Sequence, residues 1–314
     1  MNLTLPPPET AHDTLRAMAT VALADGAMHA QERRMIELLA EAMDIPVDVD
    51  ALLPIEPDEL AAKLEDPEAR KAFVQRIVIL STLDGEITED EVRTIEAFTA
   101  ALDVDERAVD NIRQLSQGYA RLVAFDLGRR SFMPKLIKGV WRERGVRGLW
   151  QIVRVLAGRT DPKQVAEFER LGTLPEGTLG RAVFQHFTEN GFAYPGQKYG
   201  APKAFMFHDI GHVLGGYGTT PDQELLVAGF QAGYMDTDGL VMYLMIAMLF
   251  QLAIEPVAKM RGVEPVKGAL DIERFLAAVQ RGRAMTVSLV DWDPWPHMER
   301  PLDEVRAELG LRAA

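Results

Sequence analysis

Apolar residues recur at helical spacing in four segments of the N-terminal half of the chain. The segments are residues 17–23, 35–43, 73–80 and 95–102, and each has the periodicity of one buried helix face. An Asp-Gly pair follows the first and third segments, with a glutamate seven residues after each aspartate: Asp25 with Glu32, and Asp84 with Glu91. Because glycine suits a left-handed turn and acids suit a helix N-terminus, the pattern predicts two helix–turn–helix units.

The two loops share part of the pattern of a calcium-binding EF-hand. The glycine and glutamate match the sixth and twelfth positions of an EF-hand loop, but the first and third positions would be Leu80 and Thr82, or Val21 and Leu23. These side chains cannot supply the carboxylates that the ion requires. The residues therefore favour helix caps with solvated acidic faces.

The repeated apolar–Asp-Gly–x5–Glu pattern resembles the tellurite-resistance B-type helical domain over about residues 10–120. The resemblance implies an all-α bundle with an acidic patch, linked to weak metal binding and to no clear enzymatic role. The positions to which it points are Asp25, Glu32, Asp84 and Glu91. Helix capping and solubility explain the same four acids equally well.

The most hydrophobic segment is LVMYLMIAMLFQLAI, residues 240–254. It is shorter than the roughly 20 apolar residues that a membrane-spanning helix needs. The segment therefore predicts a buried helix or the wall of an apolar pocket. Met242, Met245 and Met248 recur at helical spacing and favour an ordinary core face, although flexible methionines could also adapt to a lipid chain.

Between Arg129 and Arg159, nine basic residues stand against a single acid, Glu143, and are interleaved with tryptophan and aliphatic residues. Two interpretations stay open. Basic residues with tryptophan at helical spacing are typical of a segment that lies on an anionic membrane surface. The alternative is a linker helix that packs against an acidic domain.

Charge is unevenly distributed along the 314 residues, whose net charge is −13. Residues 1–125 hold 25 acids against 11 bases, whereas residues 126–314 hold 22 acids against 23 bases. This asymmetry predicts two domains with different roles, and the absence of a large basic face argues against nucleic-acid binding. The N-terminus lacks the pattern of a signal peptide, and we expect a cytoplasmic protein.

The predicted fold is all-α, with two helical domains joined by a basic amphipathic segment. The expected boundaries are residues 1–125 for the acidic bundle, 126–164 for the basic segment and 165–314 for the second domain. Because the chain has no cysteine, disulfides and thiolate zinc sites are excluded, and any metal must be held by His, Asp or Glu.

Two of the six histidines lie four residues apart in FHDIGHVLGGYGTTPDQE, residues 207–224. A helix is predicted to start at Pro202 and to end at the glycines Gly215, Gly216 and Gly218. A second helix is predicted after Thr220 as N-cap, with Gln223 completing a capping box.

His208 and His212 would lie on one face of the first helix, one turn apart. The hairpin would fold Glu224 back toward them, and Asp209 is adjacent. This set predicts a divalent metal site with the ligands and catalytic residues His208, Asp209, His212 and Glu224. Zinc is the expected ion, with Fe²⁺ or Mn²⁺ as alternatives. If Asp209 only orients a ligand, one coordination position stays open for water or substrate.

The spacing HDxxHx11E resembles the signature of the coenzyme Q biosynthesis family called Coq four, over about residues 165–314. Supporting similarity lies in LPEGTLGRAVFQHF, residues 174–187, and in WDPWPHMERPLDEVRAELGL, residues 292–311. The chain departs from the family in having KAFMF, residues 203–207, where an arginine-rich stretch is common, so its substrate recognition is expected to differ.

The resemblance implies an all-α fold with a divalent metal, an apolar groove for a polyprenyl chain and peripheral attachment to the inner face of the cytoplasmic membrane. It implies C1 oxidative decarboxylation of a polyprenylated benzoate, organisation of the other quinone-biosynthesis enzymes, or both. The expected partners are therefore a polyprenyl quinone precursor or other isoprenoid lipid, the membrane surface and those enzymes; a homodimer stays open.

Two alternatives remain. A non-catalytic prenyl-lipid scaffold could use the same fold with a structural metal. An HD-type phosphohydrolase is suggested by His208 and Asp209 alone, and would have to recruit His186 and Asp271.

Overall fold

The computed structural model describes residues 4–156, 158–200, 202–235, 239–254 and 266–311. These residues are mostly helical, and the β-structure among them is one isolated bridge between Thr178 and Pro301, which confirms the all-α fold class. No helix in the described ranges has both the length and the apolar character needed to cross a membrane.

Fifteen α-helices are described, and several of the connections between them contain 3-10 turns. In chain order the helices are α1 (Ala11–Ala22), α2 (Ala30–Ala42), α3 (Pro57–Ala61), α4 (Pro67–Leu80), α5 (Glu89–Ala101), α6 (Arg107–Ser116), α7 (Ala120–Arg130), α8 (Met133–Leu156), α9 (Pro162–Glu169), α10 (Leu179–Glu189), α11 (Phe207–Gly215), α12 (Pro221–Tyr234), α13 (Gly239–Ile246), α14 (Ile272–Arg283) and α15 (Leu302–Glu308).

Contacts divide the chain into two compact units. The first comprises Met1–Leu127 and Leu240–Ala277, and the second comprises Gly128–Gly239 and Ala278–Ala314. The sequence-based boundaries placed residues 165–314 in one continuous domain, whereas by contacts residues 240–277 group with the first unit. One residue of this segment, Gln251, makes its side-chain hydrogen bonds within the first unit.

Gln251 is fully buried and satisfies three backbone groups of the first unit. Its Nε2 donates to the carbonyl oxygens of Thr82 and Leu83, both at 2.9 Å, and its Oε1 accepts from the N–H of Leu270 at 2.9 Å. Nearby, the buried hydroxyls of Tyr243 and Thr82 lie 2.6 Å apart. Since an unsatisfied buried polar group is costly, these bonds fix the 240–254 segment in this core.

Residues 240–251 of the hydrophobic segment form a buried helix, as one of the two sequence interpretations expected. Helix α13 is followed by a π-helical turn over Ala247–Gln251, and most of the apolar side chains of the segment are buried in the first unit. The methionine spacing at Met242 and Met248 therefore marks a core face.

The two Asp-Gly loops connect α1 to α2 and α4 to α5, as the repeat predicted. Gly26 and Gly85 have positive φ angles of 105° and 86°. Glu32 and Glu91 each close a capping box: their carboxylates accept from the backbone N–H of His29 at 2.7 Å and of Thr88 at 2.9 Å. The two glutamates are therefore caps at the starts of α2 and α5.

The same substitution in the two loops is expected to have unequal effects. A Cβ at Gly85 would lie 2.6 Å from the backbone nitrogen of Gly268, whereas one at Gly26 would meet nothing within 4 Å. Gly26→Ala should therefore lower the free energy of unfolding by only about 1–2 kcal/mol, the cost of placing a side chain on a left-handed backbone. Gly85→Ala should cost at least about 2 kcal/mol more, because backbone must move. Thermal unfolding followed by circular dichroism measures both; equal losses would contradict the close contact.

In the second unit, α8 carries most of the basic segment. The helix is interrupted at Gly145, whose φ of 55° and ψ of −145° are non-helical. Trp141 and Trp150, on either side of this interruption, are 52% and 63% exposed. The basic segment therefore presents large apolar side chains on its surface, although it is helical.

Candidate metal centre

A glycine turn joins the two helices that carry the predicted ligands. Helix α11 ends at Gly215, and Gly216 takes the left-handed conformation with φ of 71°, which reverses the chain toward α12. Two backbone N–H groups, of Gly216 and Tyr217, donate to the carbonyl oxygen of His212. This helical hairpin brings the first turn of α12 beside α11.

Two local expectations for this hairpin are corrected. The α-helix starts at Phe207 and not at Pro202, because a 3-10 turn over Lys203–Phe205 precedes it. The capping box is wrong: Thr220 is the N-cap of α12, but its hydroxyl bonds to Asp222 Oδ1 at 2.6 Å, and Gln223 Oε1 instead accepts from the N–H of Gly218 at 3.4 Å.

Three of the four predicted ligands converge on one point. Nε2 of His208 lies 3.2 Å from Oε2 of Glu224 and 3.2 Å from Nε2 of His212. Nε2 of His212 lies 3.5 Å from Oε2 of Glu224. Ligand atoms about 2.0–2.1 Å from a tetrahedral ion are about 3.3 Å from one another. Among the described residues, these three form a group able to hold a metal ion.

The remaining ring nitrogens face hydrogen-bond acceptors, as metal-binding histidines require. Nδ1 of His208 lies 3.2 Å from Oε1 of Gln231, and Nδ1 of His212 lies 2.9 Å from the carbonyl oxygen of Gly218. A proton on each Nδ1 satisfies these oxygens and leaves each Nε2 with a free lone pair. Both imidazoles are therefore oriented to act as ligands through Nε2.

Protons balance the charge of the site when no cation is bound. Burial would lower the pKa of His208, but the hydrogen bond and charge of Glu224 outweigh it and raise that pKa to about 9. Burial would raise the pKa of Glu224, but hydrogen bonds with both histidines outweigh it and lower that pKa to about 2. The carboxyl is therefore ionised at neutral pH, and an arriving metal ion must displace the proton from His208.

Asp209 lies outside the group of three. Its Oδ1 is 3.5 Å from Nε2 of His186, on α10, and the His186 ring stacks on that of His212 with centroids 5.2 Å apart. Nε2 of His186 is buried and has no hydrogen bond of acceptable geometry among the described residues. Asp209 and His186 thus form a pair beside the ligands.

An HD-type phosphohydrolase site would also need His186 and Asp271. His186 lies close to His212 but is not in the group of three. Asp271 lies in the first unit, where its Oδ1 accepts from the N–H of Arg274 at 3.1 Å.

Gln231 and the Gly218 carbonyl were missed by sequence reasoning. Gln231 follows Glu224 by seven residues, so both lie on one face of α12, and this spacing is the signal that could have indicated it. The Gln231 side chain is fully buried, and its Nε2 lies 3.0 Å from where a Cβ on Gly211 would be. Glycine at 211 therefore permits the close approach of Gln231 to α11.

Gln231→Leu is expected to weaken metal binding by about 10–100-fold, because His208 loses the acceptor that fixes its ring and tautomer. Gln231→Glu keeps an acceptor oxygen and should retain most of the affinity. Competition with a chromophoric chelator measures the affinity, and Gln185→Leu, at a position bonded to Glu176 on the surface, is the matched control. Unchanged affinity in Gln231→Leu would contradict the role of this residue.

A second feature of this unit is a pocket of about 630 Å³ beside the N-terminal half of α11. Met206, Phe207 and Ile210 line it from α11 and the turn before it. At 100° per residue, Phe207 and Ile210 lie about 150° around the helix axis from His208 and His212. The pocket and the two histidine ligands therefore lie on opposite faces of α11.

Compared with known protein families, with curated proteins and with solved structures, the chain matches none of them. The class that fold and site define is thus an all-α protein with a His₂Glu group able to hold a metal ion.

Proposed function

We propose that this protein is a metal-dependent enzyme of quinone biosynthesis that acts on a polyprenylated benzoate precursor, with its metal held by His208, His212 and Glu224. The number of converging ligands carries the assignment as a metal-dependent enzyme, and the resemblance of the HDxxHx11E motif supplies the substrate class. Within the described part of the chain, two histidines and one glutamate give three protein ligands, and a site with three protein ligands keeps a position for water or substrate, as catalytic zinc sites do. A structural site is normally closed by four.

The surroundings of the group support a site that a substrate can reach. The side chain of His208 is 28% exposed, whereas those of His212 and Glu224 are 2% and 8% exposed. His208 therefore marks the side on which solvent or substrate would approach. Gln231 and the Gly218 carbonyl hold the imidazoles in place, so little reorganisation is needed when a ligand arrives.

A bound divalent ion would supply Lewis-acid stabilisation of negative charge on the carboxylate and phenolate of such a substrate. The three ligands would hold that ion, and His186 and Asp209 would place a histidine–carboxylate pair beside it. Oxidation at C1 also requires an electron acceptor. The sequence has no glycine-rich nucleotide loop, so dioxygen or a partner enzyme would have to take the electrons.

Turnover by the purified chain tests this proposal. The protein is loaded with Zn²⁺, Fe²⁺ or Mn²⁺ in turn and incubated with a short-chain prenylated 4-hydroxybenzoate in air, and loss of the carboxylate as CO₂ is measured. Metal-dependent release supports the enzyme. Tight binding of the substrate without release, for all three ions, would contradict it and favour the scaffold.

The scaffold is the second candidate, and the position of the pocket favours it. Because the pocket and the two histidine ligands lie on opposite faces of α11, a molecule in the pocket need not contact the metal. In that case the metal would stabilise the α11–α12 hairpin, and the protein would bind a prenyl lipid and assemble other enzymes of the pathway without catalysis.

Peripheral membrane attachment through α8 is part of the same proposal. Ile137 and Trp141 precede Gly145 by helical spacing, Trp150 and Val153 follow it, and all four side chains are exposed among basic residues. Such a surface suits the headgroup region of an anionic membrane. Flotation of the whole chain with phosphatidylglycerol vesicles, against Trp141→Ala/Trp150→Ala and against high salt, tests it; equal flotation of the variant would overturn it.

A further inference from the structure

The pocket beside α11 combines an apolar lining with basic side chains. Four bases line it, namely Lys135, Lys138, Arg142 and Lys203, against two acids, Asp291 and Asp293. This excess of positive charge contrasts with the net charge of −13 of the whole chain. A concave site lined by one sign of charge concentrates ligands of the opposite sign.

Two of the four bases already have partners. Nζ of Lys135 lies 2.6 Å from Oδ2 of Asp291, and Nζ of Lys203 lies 2.5 Å from Oε2 of Glu167. Lys138 and Arg142, one turn apart on α8, make no ion pair with any residue that the structure describes. Their charges therefore remain for a ligand.

The apolar part of the pocket is rich in aromatic rings. Trp292 and Trp295 line it together with Phe207, and Nζ of Lys203 lies 4.0 Å from the ring centroid of Trp295. This cation–π contact, with the Lys203–Glu167 ion pair, fixes one wall of the pocket. Flat aromatic walls favour a ligand with a flat apolar body.

We propose that this pocket binds a small organic anion with an aromatic body, with the anionic group at Lys138 and Arg142 and the rings between Phe207 and the two tryptophans. Its volume of about 630 Å³ lies within the range of small-molecule sites. Because the two histidine ligands lie on the opposite face of α11, binding here is independent of the metal. Residues 203–207, where the sequence departs from the Coq four pattern, contribute Lys203, Met206 and Phe207 to this lining.

Two fluorescent probes that differ by one charged group test the proposal. 8-Anilino-1-naphthalenesulfonate carries a sulfonate, and N-phenyl-1-naphthylamine is its uncharged parent. Titration of the whole chain should give a dissociation constant at least about tenfold lower for the sulfonate, the gain of one charge-assisted contact. Equal affinities for the two probes would overturn the assignment of an anion site.

Charge reversal localises the site. Lys138→Glu/Arg142→Glu should raise the dissociation constant of the sulfonate about tenfold or more and leave that of the neutral probe unchanged. Arg159→Glu/Arg170→Glu, which reverses two exposed bases of the same unit outside the pocket, is the matched control and should change neither. Equal loss of both probes, or no loss of either, would contradict the proposed contacts.

The same titration after dialysis against EDTA separates this inference from the proposed enzyme. Unchanged sulfonate binding in the metal-depleted protein supports a site independent of the metal, even if no turnover is ever found. Loss of binding with the metal would overturn it, because the ligand would then depend on the His₂Glu group.

Discussion

Alanine at either His208 or Glu224 is expected to remove the metal from the purified protein without unfolding it. Each residue supplies one of three converging ligand atoms, with separations of 3.2–3.5 Å between them. Loss of one ligand should weaken binding by more than about a hundredfold, because removal of a residue that only orients a ligand already costs 10–100-fold. Elemental analysis after gel filtration measures the metal content.

Stability provides an independent readout of the same site. A metal that binds only the folded state raises the free energy of unfolding by about 2.7 kcal/mol at a concentration of 100 times its dissociation constant. Added Zn²⁺ should therefore raise the melting temperature of the wild type but not of His208→Ala or Glu224→Ala. Full metal occupancy in either variant would refute the site.

Asp209→Asn distinguishes three ligands from four. Its carboxylate lies 3.5 Å from His186 and outside the group of three, so the geometry predicts retention of the metal in this variant. Loss of the metal would instead support the four-residue set expected from the sequence. Glu224→Ala is a suitable reference for this variant, because both substitutions remove one carboxylate near His208 and His212.

Sequence periodicity predicted the features that depend on nearby residues. The spacing of His208 and His212, the glycine turn and the distance to Glu224 all follow from helix geometry, and these three residues meet. The caps Glu32 and Glu91 were likewise visible as acids that follow an Asp-Gly turn. In each case the residues that interact belong to the same helical hairpin.

Features that depend on distant contacts were not predicted. Residues 240–277 group with the first unit through contacts such as that of Gln251 with Thr82, 169 residues away, and no local pattern encodes this pairing. Asp209 faces His186 because α10 packs on α11, which the motif alone does not show. The spacing of Gln231 from Glu224 indicates a shared helix face, but its close approach to α11 at Gly211 depends on packing that the spacing does not show.

The buried caps Glu32 and Glu91 are expected to make the first unit less stable as pH rises. Burial raises the pKa of Glu32 to about 8 and that of Glu91 to about 7, against the hydrogen bonds of their capping boxes, and neighbouring acids add to the increase. In the unfolded chain both carboxyls ionise near their ordinary pKa of about 4.3. Protonation is therefore favoured in the folded state, and its stabilisation is fully present below that value and is lost as pH rises toward 8.

Glu32→Gln/Glu91→Gln should remove this pH dependence. Glutamine keeps an acceptor for the N-cap N–H of each box but carries no charge. Between pH 5.5 and 8.5 we expect the unfolding free energy of the first unit to fall by on the order of 5 kcal/mol in the wild type and much less in the variant. Circular dichroism during urea unfolding measures this difference, with the variant the more stable at pH 8.5.

Two controls make the result specific to the buried carboxyls. Glu89→Gln changes an exposed acid in the first turn of α5, two residues before Glu91, and should leave the pH profile of the wild type intact. All four tryptophans, at 141, 150, 292 and 295, lie in the second unit, so their fluorescence reports that unit separately. Parallel pH profiles for the wild type and the double variant would show that the folded protein holds both glutamates ionised, and that the capping hydrogen bonds outweigh the cost of burying two charges.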